Sequence, residues 1–160
     1  MHSIQLWLQS TRLSYYMIHS NFAWPISECL HFIGLTLLIG TVGLFDLRVL
    51  GMAKGLSPAA LHRLLPWGIL GFVINVITGT MFFVGIPYQY IYNGAFQLKM
   101  VCLLLLGINV LMFYVTAYPK VESLGPGDVA PLGAKVIAGI SLSLWIAVIC
   151  FGRLEAFYKP

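Results

Sequence analysis

The stretch Leu64–Ile86, LLPWGILGFVINVITGTMFFVGI, decides the fold class of this chain. It runs for 23 residues without one charged side chain. An α-helix rises about 1.5 Å per residue, so about 20 apolar residues cross a bilayer core that is roughly 30 Å thick. The stretch therefore predicts a membrane-spanning helix.

The composition extends this interpretation to the whole chain. Of 160 residues, 59% are hydrophobic and only 9% are charged, whereas a soluble domain carries about 25% charged residues. The mean hydropathy is +0.89. The net charge of +4 is explained by basic residues beside an anionic membrane surface, so we predict a lipid environment and no nucleic-acid partner.

Three further stretches are long and apolar enough to cross a membrane. The four predicted spans cover about residues 24–47, 64–86, 96–118 and 131–152. They lack strict alternation of polar and apolar residues and are about twice as long as a barrel strand, which excludes a β-barrel. Each span carries small and polar residues that suit helix–helix contact. The sequence thus predicts an all-α, integral membrane protein, an antiparallel four-helix bundle.

Residues 1–22 differ from the domain that follows, residues 23–160. Ile4, Trp7, Tyr15 and Ile18 recur at helical spacing with polar residues between them. This pattern predicts an amphipathic helix that lies in the membrane interface. A cleaved signal peptide needs a continuous apolar region, which is missing here, so we expect the segment to remain in the mature protein.

The basic residues of the loops predict an orientation. An even number of spans places both termini on the same side of the membrane. If Lys99 and Arg153, which lie at span ends, are set aside, two basic residues remain on that side and five on the other. By the positive-inside rule we predict that loops one and three face the cytoplasm and that both termini lie on the opposite side of the membrane.

Ionisable residues in and beside the predicted spans gather at one depth. Because the helices alternate in direction, Glu28, His31, Lys99 and Arg153 all fall in the layer nearest the termini. Ionisable residues inside a membrane are costly and mark function by default. The same layer holds sulfur-bearing residues, which are Cys29, Met81, Met100, Cys102 and Cys150.

Each of these residues has a structural and a functional interpretation. His31 is either an imidazole hydrogen-bonded within the bundle or a ligand of haem or another metal. Glu28 is either an interfacial carboxylate favoured by the helix dipole or a residue that tunes His31 or binds a second metal. Lys99 and Arg153 either reach the lipid headgroups or bind haem propionates. His19 is the best partner within the chain for a second metal-binding imidazole.

Polar groups deeper in the spans complete the predicted site. Asn75 in the second span and Trp145 in the fourth are candidates for contact with a cofactor. The three cysteines form no C-x-x-C motif and suit core packing, although cysteine and methionine are the ligands that copper(I) prefers. No residue is identified as catalytic.

Several motifs resemble one family of proteins. They are W-P-x-x-E-x-x-H-F-x-G (Trp24 to Gly34), D-L-R-x-L-G (Asp46 to Gly51), T-G (Thr78-Gly79), F-x-x-K (Phe96 to Lys99), Asn109 and S-L-x-L-W…G-R (Ser141 to Arg153). Together they resemble a family of small bacterial four-helix integral membrane proteins of unknown function. That family is distantly similar to copper-resistance protein D and to membrane b-type cytochromes. The resemblance implies that Glu28 and His31 form the ligand face.

The same resemblance implies that Lys99 and Arg153 bind an anion. Membrane b-type cytochromes present paired histidines on facing helices, whereas only His31 lies inside a span here. The second axial ligand would come from His19, from Met81 or Met100, from a neighbouring subunit, or be absent.

Our leading hypothesis is a four-helix protein of the bacterial inner membrane, with both termini in the periplasm, that binds haem b and transfers electrons. Copper is a candidate for a second metal near the haem. We expect a homo-oligomer or a subunit of a membrane complex. One alternative is a structural or assembly subunit without a cofactor, whose charged layer locks helices through pairs such as Glu28–Arg153. The other is a transporter of metals or small solutes, although neither a broken helix nor an inverted repeat is evident.

Overall fold

The computed structural model describes residues 2–158, with side chains from residue 5 onward. The side chain of Ile4 lies outside this range, as does Lys159, one of the two basic residues counted on the side of the termini. The fold is 81% helical, and no strand occurs among the described residues. The α-helices are α1 (His2–Gln9), α2 (Arg12–His19), α3 (Ala23–Leu50), α4 (Pro58–His62), α5 (Leu65–Gly85), α6 (Pro87–Ile91), α7 (Gly94–Met112), α8 (Tyr118–Glu122) and α9 (Leu132–Leu154). A π-helical turn, Phe113–Ala117, joins α7 to α8.

Four segments are long and apolar enough to cross a membrane. They are Ala23–Leu50, Pro58–Gly85, Gly94–Glu122 and Leu132–Leu154. The predicted all-α fold with four spans is therefore confirmed. Three of the four segments end beyond the predicted apolar stretches, at residues 50, 122 and 154 instead of about 47, 118 and 152.

Two ends of these helices illustrate the capping. The α3 helix stops at Gly51, which has φ of 99°, a left-handed conformation that glycine adopts without steric cost. The α7 helix begins after Asn93, whose Oδ1 accepts hydrogen bonds from the backbone N–H groups of Ala95 (3.0 Å) and Phe96 (3.2 Å).

The helices pack as two antiparallel pairs. In the first pair, α3 packs along α5, and in the second, α7 packs along α9, while α3 and α9 join the two pairs. The first pair approaches closely at two glycines. A Cβ at Gly71 would lie 2.5 Å from Gly34 O and 2.8 Å from Leu38 N. Such backbone contact is typical of helix pairs in lipid, where small residues permit close packing.

Apolar side chains fill the join between the pairs. One buried cluster, from α3, α7 and α9, lies at mid-depth and consists of Leu38, Cys102, Leu106, Trp145 and Val148. A second cluster lies at the loop end of the bundle, opposite the termini, and includes Val49, Ala117, Val121, Ala134 and Ala138.

The N-terminal segment forms two helices where the spacing predicted one. The break falls at residues 10–11, and Thr11 Oγ1 caps α2 by accepting a hydrogen bond from Ser14 N at 3.3 Å. Ser14 Oγ in turn donates to Gly85 O at 3.4 Å, which fixes α2 against the end of α5. Trp7 and Tyr15 point outward and are 66% and 65% exposed. Outward apolar side chains suit contact with lipid, while the interfacial position itself stays a prediction.

A buried arginine ties the loops at the opposite end. Arg48, near the end of α3, is 1% exposed. Its Nε donates to Leu56 O, its Nη1 to Asp128 O (3.2 Å) and its Nη2 to Gly125 O (2.9 Å). The guanidinium thus holds two loops to one helix, because its planar fork can reach several carbonyls at once.

Candidate functional site

A large cavity opens at the end of the bundle nearest the termini. It has a volume of about 520 Å³ and lies between α3, α5, α6, α7 and α9. We call it the His31 cavity. Its lining combines aromatic and aliphatic residues with the four ionisable residues that the sequence placed in one layer, which are Glu28, His31, Lys99 and Arg153. The prediction that these four come together at one depth is consistent with the structure.

His31 is held by a hydrogen bond across the α3–α5 interface. Its Nδ1 lies 2.7 Å from Thr78 Oγ1. The Thr78 hydroxyl also lies 2.8 Å from Ile74 O, to which it donates. A hydroxyl has one proton, and a threonine within a helix commonly donates it to the carbonyl four residues earlier. On this basis we assign the other proton to His31 Nδ1, with Thr78 Oγ1 as its acceptor. The ring therefore keeps the lone pair on Nε2.

The His31 ring is further positioned by packing. The ring of Phe82 meets it edge to face, with centroids 5.6 Å apart. A Cβ at Gly79 would lie 3.9 Å from His31 Cε1, so the imidazole lies along the surface of α5. Among the described residues, Nε2 has no hydrogen-bond partner. A histidine whose Nδ1–H is fixed and whose Nε2 is free has the arrangement that metal-ligating histidines use.

Glu28 and Arg153 reach the cavity without pairing with each other. Glu28 Oε1 accepts a hydrogen bond from Trp24 Nε1 at 3.2 Å. The Arg153 guanidinium carbon lies 5.2 Å from the ring centroid of Phe157. The Glu28–Arg153 pair suggested by the sequence is therefore absent from the described residues, and both side chains remain available to a ligand.

Lys99 pairs with a residue that the sequence analysis missed. Its Nζ lies 3.5 Å from Glu155 Oε2, the one salt bridge within the described part of the chain. The Glu155 backbone O accepts a hydrogen bond from Asn93 Nδ2 at 2.9 Å. Asn93 therefore connects the start of α7 to the end of α9. Glu155 was overlooked because it follows the last apolar residue of its span, where a carboxylate ordinarily faces water.

Burial perturbs two groups at the cavity mouth, outside the spans. Burial raises the pKa of Glu155, and the charge and hydrogen bond of Lys99 oppose this rise. Burial also raises the pKa of Tyr90, and the nearby charge of Glu155 adds to the effect. Both groups therefore hold their protons more tightly than they would in water.

Three predicted site residues lie elsewhere. Asn75 Nδ2 donates to Gly71 O at 2.8 Å and packs in the α3–α5 interface. Trp145 is 6% exposed within the mid-depth cluster, and its Nε1 has no partner among the described residues. His19 is exposed on α2, where its Nδ1 lies 2.9 Å from Tyr15 O. None of the three lines the His31 cavity.

The sulfur-bearing residues do not converge on one site. Cys102 is buried in the mid-depth cluster, whereas Cys29 and Cys150 are exposed on the outside of the bundle. Within the described range there is no group of three or more His, Cys, Asp or Glu side chains arranged to hold a metal ion. The cysteines of the described residues are therefore not arranged as a shared set of copper ligands.

The fold and the cavity together define a class of protein: a multi-pass helical membrane protein with one oriented histidine in a cavity at its terminus end. The chain belongs to the family of unknown function DUF6644, whose model matches residues 7–158. No curated protein and no solved structure is significantly similar to it. The family membership agrees with the resemblance to four-helix membrane proteins of unknown function, while the link to copper-resistance protein D and b-type cytochromes stays a prediction.

Proposed function

We propose that the protein binds haem b in the His31 cavity, with His31 Nε2 as the axial ligand, and serves in electron transfer within the membrane. The observation that carries the proposal is the orientation of His31, whose Nδ1–H is held by Thr78 while Nε2 is free. A hydrogen bond of this kind fixes the tautomer and orients a metal ligand.

The cavity suits a haem in size and chemistry. Its volume of about 520 Å³ falls within the roughly 300–1,000 Å³ of ordinary small-molecule and cofactor sites. Leu35, Phe82 and Val148 supply apolar walls that exclude water. Lys99 and Arg153 line the mouth, where two cations complement two propionates. Glu155 holds Lys99 in position before the anion arrives.

Among the described side chains, His31 is the one imidazole that lines the cavity. His19 is exposed on α2, and Met81 Sδ lies 3.9 Å from Ser27 Oγ, within the α3–α5 interface rather than the cavity lining. We therefore propose a haem with one axial ligand from this chain and one position open to an exogenous ligand or to a neighbouring subunit. The bound haem supplies one-electron redox chemistry, while the protein fixes its orientation and excludes water.

The location of the cavity sets the side on which electrons are exchanged. It lies at the terminus end of the bundle, which we propose to be periplasmic in the bacterial inner membrane, from the distribution of basic residues in the loops. The redox partner would then approach from that side.

The absorption spectrum of the detergent-purified protein tests the proposal. We expect a Soret band in the oxidised protein and a reduced α band after dithionite, with a change on addition of carbon monoxide that reports the open axial position. Metal analysis of the same sample tests for copper. A colourless, folded preparation that takes up no added haemin overturns the proposal, and a stoichiometric protein partner in that sample would favour the structural role.

A further inference from the structure

A second, smaller cavity lies at the loop end of the bundle. It has a volume of about 90 Å³ and lies between α3, α7, α9 and the α4–α5 segment. We call it the Asp46 cavity. Asp46 and His31 are 15 residues apart on α3, so about 22 Å of helix separates them. The two cavities are therefore distinct sites.

The Asp46 carboxyl group is buried and incompletely paired. Asp46 is 7% exposed, and its Oδ2 has no hydrogen-bond partner within the described residues. Ser141 lines the same cavity as Asp46. Arg48 is only two residues away, but its guanidinium binds carbonyls of the loops. A buried carboxylate is costly unless it holds a proton or binds a cation, and the oxygen atoms around Asp46 favour a cation.

Two further residues that line the cavity, Asn109 and Ser141, carry side-chain oxygen atoms. Asn109 Nδ2 donates to Ile137 O at 3.1 Å, and the amide oxygen, Oδ1, has no hydrogen-bond partner among the described residues. Asn109 and Ser141 are 8% and 4% exposed. Both line the cavity with Asp46, and no lysine or arginine does so among the described residues. Carboxylate, amide and hydroxyl oxygens are the ligands that hard cations prefer.

The charge of the cavity selects the class of cation. His62 and Tyr114 also line it, and their side chains lie within hydrogen-bond distance of each other, at 3.2 Å. Asp46 is the one carboxylate among the described lining residues. A single carboxylate balances a single positive charge. We propose that the Asp46 cavity binds a monovalent metal cation through the Asp46 carboxylate, Asn109 Oδ1 and the Ser141 hydroxyl oxygen. This inference does not depend on haem in the other cavity.

Sodium-dependent stability of the intact protein tests the proposal. The thermal midpoint is measured in detergent as sodium chloride replaces N-methyl-D-glucamine chloride at constant ionic strength. Because a ligand that binds only the folded state stabilises it, the midpoint should rise with sodium concentration and saturate. A potassium series measured in the same way reports how selective the site is.

Two matched variants locate the effect. Ser141→Ala removes one proposed ligand and should weaken the apparent sodium affinity roughly tenfold, the factor that corresponds to losing one interaction with a charged group. Ser143→Ala is the control, because Ser143 lies on the same helix but is exposed and bonds Gly139 O. Asp46→Asn should abolish the response. Equal midpoints of the unmodified protein in sodium and N-methyl-D-glucamine overturn the proposal, as does an unchanged sodium response in Ser141→Ala or Asp46→Asn.

Discussion

His31 Nδ1 on α3 lies 2.7 Å from Thr78 Oγ1 on α5, within hydrogen-bond distance. This contact joins the two helices that pack most extensively and also sets which nitrogen of His31 faces the cavity. The same pair of side chains therefore contributes to helix packing and to the proposed haem binding.

Thr78→Val should lower the affinity for haem without disrupting the fold. Valine keeps the shape of threonine but cannot accept the Nδ1–H, and loss of such an outer hydrogen bond typically weakens metal binding about 10–100-fold. Haem titration of the purified variant measures this change. Thr80→Val is the control, because Thr80 is exposed on the same helix and bonds Val76 O. Equal loss of affinity in both variants would contradict the proposed role of Thr78.

Gly71→Ala should destabilise the α3–α5 pair. The added Cβ would meet backbone atoms of Gly34 and Leu38 at 2.5 and 2.8 Å, and overpacking of this kind costs about 1–3 kcal/mol. Thermal denaturation in detergent measures the cost. Gly107→Ala is the matched control, since nothing lies within 4 Å of its Cβ. If Gly71→Ala proved as stable as the Gly107 variant, the observed helix contact would be wrong.

Arg48→Lys should loosen the loop end of the bundle. Lysine keeps the charge but cannot reproduce the fork that binds three carbonyls, and each hydrogen bond to a charged group contributes about 1.5–3 kcal/mol. We expect a lower thermal midpoint and faster proteolysis in the loops of residues 51–57 and 123–131. Arg63→Lys, at an exposed position, should change neither. Unchanged proteolysis of the Arg48 variant would contradict the three-carbonyl arrangement.

The buried Glu155 carboxyl should make stability depend on pH. Its pKa is raised by burial above the ordinary value of 4.5, so the folded state holds the proton at a pH where the unfolded chain has released it. Stability from this group is present below pH 4.5 and is lost as the pH rises through the raised pKa. The thermal midpoint should therefore fall over that range, and fall less in Glu155→Gln. An identical pH profile for the two proteins would count against this assignment.

The sequence was most informative where the membrane imposes a strong constraint. Long, mainly apolar stretches predicted the four spans, and the alternation of helix directions placed Glu28, His31, Lys99 and Arg153 at one depth. The contacts between individual side chains were not predictable in the same way, because the depth of a residue in the membrane does not specify which neighbouring helix its side chain faces. Thr78 and Glu155 were missed as partners for this reason.

Other differences have equally local causes. Thr11 divides the N-terminal segment into two helices because its side chain caps the start of α2. The amphipathic spacing continues across Thr11, so the spacing alone did not indicate this break. Asn75 lies three residues before Thr78 on α5, but its amide donates to Gly71 O at the glycine contact between α3 and α5. Asp46 lies close to the end of a predicted span, where contact with water would be expected, but helix packing buries it.

The haem content of His31 and His19 variants tests the central claim most directly. Haem and protein are quantified in detergent-purified samples of the unmodified protein, His31→Ala and His19→Ala. We predict that His31→Ala loses its haem, while His19→Ala keeps the full amount because His19 lies outside the cavity. Undiminished haem in a folded His31→Ala protein would contradict the account.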